Sequence, residues 1–548
     1  MVTVMVGMAM VAISQINDAP VRHMKHQLSA PQVNAANLQQ GALAALLLVL
    51  ALVAGDASAQ TTDATIEGAT NKPSFSIVPR VSISETLTDN VRLSTNDRQS
   101  EFVTTISPGI RMSADRGRLK AYFDYTLNGS YYAQNTSAAR LQNALTAFGT
   151  LEAVDNWAFI DASAGISQQS ISPLGVQSTG ASSINANQNE SATVRLSPYL
   201  RGRVANVVDY ETRYSLTSNR NNGASGSDVI IRDGSVRLSG RGAGERLTWS
   251  ADAAQQSTTF SAGRTTESDQ IKLGVAYAVF PQLSVSVSGG QESDNFITAD
   301  KRSSSTFGYG VSWIPSERAR LSASREARQF GDSFSVVASY RTPRTTWQFT
   351  DSKSIASPVG QNGLVNLGSA FDVFFDQFAS VEPDPIKRTV LVNNFLLANG
   401  LDPTSRVTSN FAVSAVSLLR RQDLSFSLLG IRDTVTFILT RSESSRLDTV
   451  SSAVDSLSNS AVIRQSGLSL SYAHRLTPDS SVNVLALLQQ SSDSLGLLDS
   501  NSRSVNLSFS TKLSAKSTAV VSGRRVIFES NANPYTESAI TGTLNVQF

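Results

Sequence analysis

The sequence contains no cysteine among its 548 residues. Disulfides, thiolate catalysis and cysteine-ligated metal sites are excluded together. Histidine is almost as scarce: His23, His26 and His474 are the only three. The first two precede the mature chain on the reading below. A multi-histidine metal site is therefore excluded, and a histidine acid–base role could fall only to His474. An excess of either charge is lacking too. The formal net charge of +2 gives no electrostatic reason to expect a nucleic-acid partner. Nothing in the residue pattern calls for a cofactor or a metal. One long apolar run stands out.

That run is GALAALLLVLALVAG, from Gly41 to Gly55. It is short and alanine-rich for a membrane-spanning helix. Arg22 and Lys25 precede it, and Ala57-Ser58-Ala59 follows as a small-x-small cleavage site. The pattern predicts a secretory signal peptide read by the Sec pathway and cut after Ala59. Residues 1–59 are then the signal peptide and an upstream extension, with Met24 a reasonable start. Residues 60–548 are the mature chain.

What is present is strand periodicity, repeated from about Pro73 onward. In SVNLSFSTKL, Val505, Leu507 and Phe509 alternate with Asn506 and Ser508; in SGLSLSYAH, Leu468, Leu470 and Tyr472 alternate with Ser469 and Ser471. Alternation with a period of two is the signature of a strand with one apolar and one polar face. Short turns fall near Asp115, Asp155, Arg203, Gly242, Pro281, Ser316, Pro343, Arg432, Asp479 and Lys516, with longer Ser-, Asn- and Gly-rich stretches between them. Ten turns separate eleven hairpins. The prediction is an all-β fold: a transmembrane antiparallel barrel of about 22 strands, with 20–24 the defensible range. The stretch from Val407 to Thr440 divides in more than one way. A closed barrel is the only sheet that satisfies its own backbone in lipid.

Two further features agree. The last strand, TGTLNVQF, places Leu544, Val546 and Phe548 on its apolar face. A terminal Phe on such a strand resembles the targeting signal read by the barrel-assembly machinery of outer membranes. Trp157, Trp249, Trp313 and Trp347 all lie near inferred short turns, as an aromatic girdle at one membrane interface would.

One segment breaks the alternation. In residues 364–406, Phe371, Phe374, Phe375 and Phe378 recur at helical spacing, and a second helix is predicted after Asp384 as N-cap and Pro385 as first helical residue, with Gly400 as C′ glycine. Strand parity assigns this helical hairpin to a connection on the long-loop side. Four phenylalanines need burial, so a lid or lumen plug is expected. Surface decoration packed on neighbouring loops is the alternative.

The stretches SETLTDNVRLS (84–94), EFVTTISPGIRM (101–112) and FGDSFSVVASYRTPRTTW (330–347) together resemble the PEP-CTERM system-associated outer-membrane protein family. The resemblance extends over essentially the whole mature chain. It implies an outer-membrane barrel of a Gram-negative bacterium, encoded with exopolysaccharide production and protein sorting. Its partners would be outer-membrane lipid, the barrel-assembly machinery, and exopolysaccharide or its export proteins. The family supplies a setting and no molecular activity.

If the apolar positions face lipid, Arg111, Lys120, Asp124, Arg195, Asp209, Glu211, Arg213, Arg237, Asp252 and Lys272 line the lumen. Fixed charges and hydroxyls hydrate a channel and bias what enters it. Arginine suits carboxylate, sulfate and phosphate groups, although polar, salt-bridged interiors occur in barrels of every function. His474 falls on the lipid side near a turn, without a nameable serine partner, so no enzyme is expected. An active transporter of the vitamin or siderophore type would need a plug domain and a coupling segment ahead of the barrel. The stretch between Gln60 and the first strand is too short for them. The expectation is a pore or export-associated channel narrowed by the helical hairpin. The alternative is a non-conducting surface or adhesion barrel of the same system.

Overall fold

The computed structural model describes residues 75–548, apart from short stretches within loops and most of 357–383 and 399–412. The predicted signal segment, Phe374 and Gly400 lie outside the described residues. The chain runs as β1 (Phe75–Thr88), β2 (Glu101–Arg116), β3 (Leu119–Tyr132), β4 (Arg140–Val154), β5 (Ala158–Ser170), β6 (Gln188–Val204), β7 (Val208–Asn222) and β8 (Val229–Arg241). It continues through β9 (Leu247–Phe260), β10 (Thr265–Phe280), β11 (Leu283–Asp294), β12 (Arg302–Ser316), β13 (Ala319–Arg328), β14 (Gly331–Arg341) and β15 (Thr345–Ala356). After helix α1 (Pro385–Ala398) come β16 (Ser417–Leu429), β17 (Asp433–Arg446), the one-turn helix α2 (Ser456–Asn459) and β18 (Val462–Arg475). The last strands are β19 (Ser480–Asp493), β20 (Asp499–Lys512), β21 (Ser517–Ser530) and β22 (Tyr535–Gln547).

Every strand pairs antiparallel with its successor, and β22 returns to β1 in register from Ala539↔Thr88 to Gln547↔Arg80. The 22-stranded sheet is therefore closed and has no free edge. The strand number agrees with the sequence reading. So do all ten turns, which follow the even-numbered strands and contain two to five residues. Tight reversals require left-handed backbone at some of them: Gly117 has φ 38°, Asn156 54° and Asn206 59°.

Exposure is inverted relative to a water-soluble fold. On β20, Val505, Leu507 and Phe509 are 51%, 54% and 41% exposed, while Ser508 and Ser510 between and beside them are buried. The apolar face looks outward and the hydroxyl face inward, which is stable only if the outside is hydrocarbon. No helix among the described residues is long and apolar enough to cross a membrane; the strands cross.

The expected rule of longer connections at the far end has exceptions. β9 and β10 are joined by four residues, and β13 and β14 by Gln329 and Phe330 alone. With strands of only 10 and 11 residues, β13 and β14 make a low point in the wall.

Candidate functional site: the lumen and the segments folded into it

Side chains directly opposite in an antiparallel pair share a face. Register therefore assigns the lumen wall residue by residue. Arg201, Glu211, Arg237, Asp252 and Lys272 are successive partners across β6 to β10, a row of five charges of alternating sign. Arg237 Nε lies 2.6 Å from Asp252, and Lys272 Nζ 3.0 Å from Glu326 on β13. One step nearer the middle of the wall, Arg213 is held by Asp161 at 2.8 Å and Glu211 at 3.2 Å. Its guanidinium stacks 3.9 Å from the centre of the Tyr199 ring, as Arg201 does 4.3 Å from Phe159. Asp209 pairs with Arg203 at 2.6 Å beside the short turn. Arg195 bonds the hydroxyls of Ser197 and Ser215, both at 3.2 Å, and has no carboxylate partner among the described residues.

Arg111, Lys120 and Asp124 stand elsewhere on the same inner face. Asp124 accepts from Arg111 at 2.8 Å, from Tyr122 Oη at 3.1 Å, and from Arg80. All ten sequence-assigned lumen residues thus share the inward face, although they form several clusters and no single site. Arg80, Tyr122 and Arg201 belong with them. Their alternation within β1, β3 and β6 was a sufficient signal.

The helical insert enters this lumen. Asp384 caps α1, accepting from the Lys387 amide at 3.1 Å, as the Asp-Pro pair predicted. The same carboxylate lies 3.0 Å from Lys120 Nζ, and Lys387 Nζ lies 2.8 Å from Asp115. Further along the helix, Asn393 donates to Tyr122 Oη at 3.2 Å. Asp115 and Lys120 flank the short turn between β2 and β3, whereas the insert leaves β15 and rejoins β16 at the opposite end. The start of α1 therefore sits deep in the barrel, against its inner wall. Thr389 and Val392 are buried there. Phe371 and Phe375 stack at 5.5 Å between centroids, with Arg388 4.6 Å over the Phe375 ring; Phe378 is half-buried.

A second inward segment was not expected. Residues 171–187, between β5 and β6, fall in one of the longer Ser-, Asn- and Gly-rich stretches of the sequence. They fold across the lumen. The Ile184 amide donates to Val91 O at 2.8 Å, Tyr132 Oη to Ser182 O at 3.2 Å, and Tyr535 Oη to Gln177 O. Val176 packs on Leu93, Val526, Phe528 and Tyr535, and Ile184 on Val91, Val103 and Tyr132. Polar side chains hold the loop's own backbone. Asn187 donates to Ser172 O at 2.8 Å and Val176 O at 3.0 Å, and Gln177 donates to Ser172 O and Gly175 O, both at 3.0 Å. The composition that resembles disordered linker is spent on local turns.

The long-loop mouth is bridged as well. Arg264, between β9 and β10, pairs at 2.9 Å with the buried Asp448 beyond β17. Phe296 and Val416 pack with Val229, Ile231 and Phe260 in one apolar cluster. Phe411 and Val413 pack with Leu457 and Ile463, and Phe411 bridges to Ser170 at the top of β5.

The remaining candidates lie outside. Trp157, Trp313 and Trp347 are exposed beside short turns; Trp157 Nε1 donates to Tyr210 Oη at 2.8 Å. Trp249 lies flat over its register partner Gly240, where an added Cβ would stand 2.8 Å from the indole nitrogen. Leu544 and Val546 pair with Ile83 and Val81 on the seam, and the Phe548 amide donates to Pro79 O at 3.0 Å. His474 faces outward, its Nδ1 2.7 Å from Asp433, which also accepts from Tyr472 Oη at 2.7 Å. No cluster of three or more potential metal ligands occurs among the described residues.

No family model and no curated protein sequence matches the chain. Solved structures similar to it include the siderophore receptor PirA from Pseudomonas aeruginosa, at 10% identity over 87% of this chain and 81% of that one, with TM-score 0.43. The FrpB iron transporter from Neisseria meningitidis is similar at 11% identity, over 87% and 82% of the two chains, with TM-score 0.46. PirA from Acinetobacter baumannii is similar at 9% identity, over 88% and 81%, with TM-score 0.45. With an even number of antiparallel strands, an apolar exterior and a polar interior, this protein has the architecture of an outer-membrane β-barrel.

Proposed function

We propose that the protein is a pore or export-associated channel of the outer membrane, narrowed or gated by its insert. The observation that carries this reading is the docking of α1 on the inner wall of β2 and β3. Its polar contacts there include two partly exposed ion pairs and a hydrogen bond, beside the buried Thr389 and Val392. Contacts of this kind are weak singly and exchange readily with water, as a movable element needs. Behind the helix the wall is hydrated by fixed charges of both signs, which suits polar or ionic solutes. On the resemblance given above, the setting is an exopolysaccharide and PEP-CTERM protein-sorting system, and the solute is acidic polysaccharide or part of its export route.

The buried Arg264–Asp448 pair and the apolar clusters across the mouth favour a second reading, a non-conducting structural or adhesion barrel of the same system. Planar-bilayer recordings of refolded residues 60–548 decide between them. They are compared with a form in which a short Gly/Ser link replaces 364–406. A silent or flickering full protein beside a steadily conducting deletion supports the gated channel. Equal conductance of both removes the gating role. A folded barrel that is silent in both forms overturns the channel and leaves the structural reading.

A further inference from the structure

The outer face of β15 to β18 changes character in one register step. Trp347, Phe426, Phe437 and Leu470 are successive partners, and so are Phe349, Leu424, Leu439 and Leu468 in the row above. These two rows are wholly apolar. The next row towards the long-loop end is Asp351, Gln422, Arg441 and Ser466, and the one beyond it Lys353, Arg420, Glu443 and Arg464. Such an edge marks where hydrocarbon gives way to headgroups, because a charge one row lower would be costly.

The two charged rows hold four cations and two carboxylates. The carboxylates do not consume the cations. Arg420 stands 3.4 Å from Asp351 and Arg464 3.4 Å from Glu443, with both guanidinium side chains half-exposed. Arg441 is exposed and has no ion pair or hydrogen bond among the described residues. The outward charges of β10 contrast with this. Glu267 and Asp269 are acidic and converge on Lys301 at 2.8 and 2.7 Å. A cationic excess therefore lies on this arc, at one height, beside the low wall of β13 and β14. Further outward arginines stand elsewhere on the circumference, Arg220 and Arg232 on β7 and β8 and Arg503 and Arg525 on β20 and β21.

We propose that this arc is a binding site for a phosphorylated glycolipid headgroup in the leaflet facing the long loops. Adjacent strands lie about 4.8 Å apart. Lys353, Arg420, Arg441 and Arg464 thus offer donors on four neighbouring strands, enough to grip two phosphates of one headgroup while its chains lie on the apolar rows below. Guanidinium forks suit phosphate oxygens in a way that single ammonium groups do not. The site is independent of whether the lumen conducts.

The test is native mass spectrometry of the detergent-purified protein titrated with diphosphoryl lipid A and, separately, with phosphatidylethanolamine. Lipid A should bind in preference. Arg441→Gln with Arg464→Gln should weaken it about twenty-five-fold, at roughly fivefold for each cation lost. Arg220→Gln with Arg232→Gln removes the same charge from outward positions on β7 and β8, and should change affinity less than twofold. Equal loss with both pairs, no loss with the first, or equal binding of phosphatidylethanolamine would overturn the site. If the first pair fails to fold, Arg441→Gln alone, which breaks no described ion pair, carries the test with a fivefold loss expected.

Discussion

Lys120 and Asp384 are 264 residues apart in sequence and 3.0 Å apart in the lumen. One belongs to the third strand of the wall, the other caps the helix of the insert. The contact ties an element that departs at one end of the barrel to the wall at the other. A second pair, Lys387 with Asp115, does the same beside it.

Removing both cations should loosen the helix. Partly exposed pairs contribute about 0.2–1 kcal/mol each, so Lys120→Gln with Lys387→Gln should raise the open-to-closed ratio about two- to thirtyfold. The wild type should drift in the same direction as ionic strength rises, since the Debye length falls from about 10 Å at 0.1 M to 3 Å at 1 M. Open probability against salt, for both proteins, checks this. A double variant whose open probability still climbs with salt as steeply as the wild type would show that other charges hold the helix.

The loop of residues 171–187 is held by apolar burial and by hydrogen bonds, one of them from Arg140 Nη1 to Ser183 O at 3.0 Å. Phe528 is 1% exposed beneath it, between Val176 and the wall. Phe528→Ala should cost about 3–5 kcal/mol locally. The loop should then become cleavable by added protease, and conductance in the insert-deleted barrel should increase. The closed barrel itself should persist, because its strand register does not depend on that ring. Limited proteolysis and single-channel recording together check it. Loss of heat-modifiable migration on gels would mean that the ring supports the barrel instead.

The buried pair at the mouth makes a different prediction. Arg264 and Asp448 are 18% and 1% exposed. Replacing only the arginine removes one ion partner of a carboxylate held in a poorly hydrated place, a change that costs up to about 3–5 kcal/mol. Arg264→Met should therefore destabilise the mouth more than Arg264→Met with Asp448→Leu. Urea midpoints monitored by a probe on the β17–β18 connection measure the difference. The reverse order would mean that Asp448 serves mainly the backbone around it, for instance the Val450 amide it accepts at 2.9 Å.

The barrel was legible because its forces are periodic. A residue such as Leu507 declares its face through Ser508 and Asn506, and eleven hairpins repeat the statement. The cap at Asp384 was legible for a local reason, since the Asp-Pro pair organises its own backbone. The destination of α1 was not. Lys120 and Asp115 look like any inward charges until register and insert are seen together. The inward loop was hidden for a further reason: Asn187 and Gln177 bond their neighbours, so the loop's rigidity leaves a composition indistinguishable from a mobile one. Its anchors, Val176 and Ile184, are two isolated apolar residues without periodicity. The outward cationic arc is not legible in the sequence because each strand carries only one or two of its charges, and their alignment exists only across four strands.

Phe548 carries the last prediction. Its amide donates to Pro79 O, one step past the final register pair of the seam, and its ring is 65% exposed. The backbone bond closes the barrel whatever the side chain is, while the exposed ring adds little packing of its own. Phe548→Ser should therefore leave the refolded barrel's conductance and thermal midpoint close to wild type. In cells it should reduce the amount assembled in the outer membrane several-fold, if the ring is read by the assembly machinery. Comparing refolded protein with membrane-extracted protein separates the two roles. Equal loss of stability in the refolded form would make the ring a structural clasp. An unchanged level in cells would remove the signal from Phe548 and leave the closing strand itself, with Leu544 and Val546 on its outer face, as what the machinery recognises.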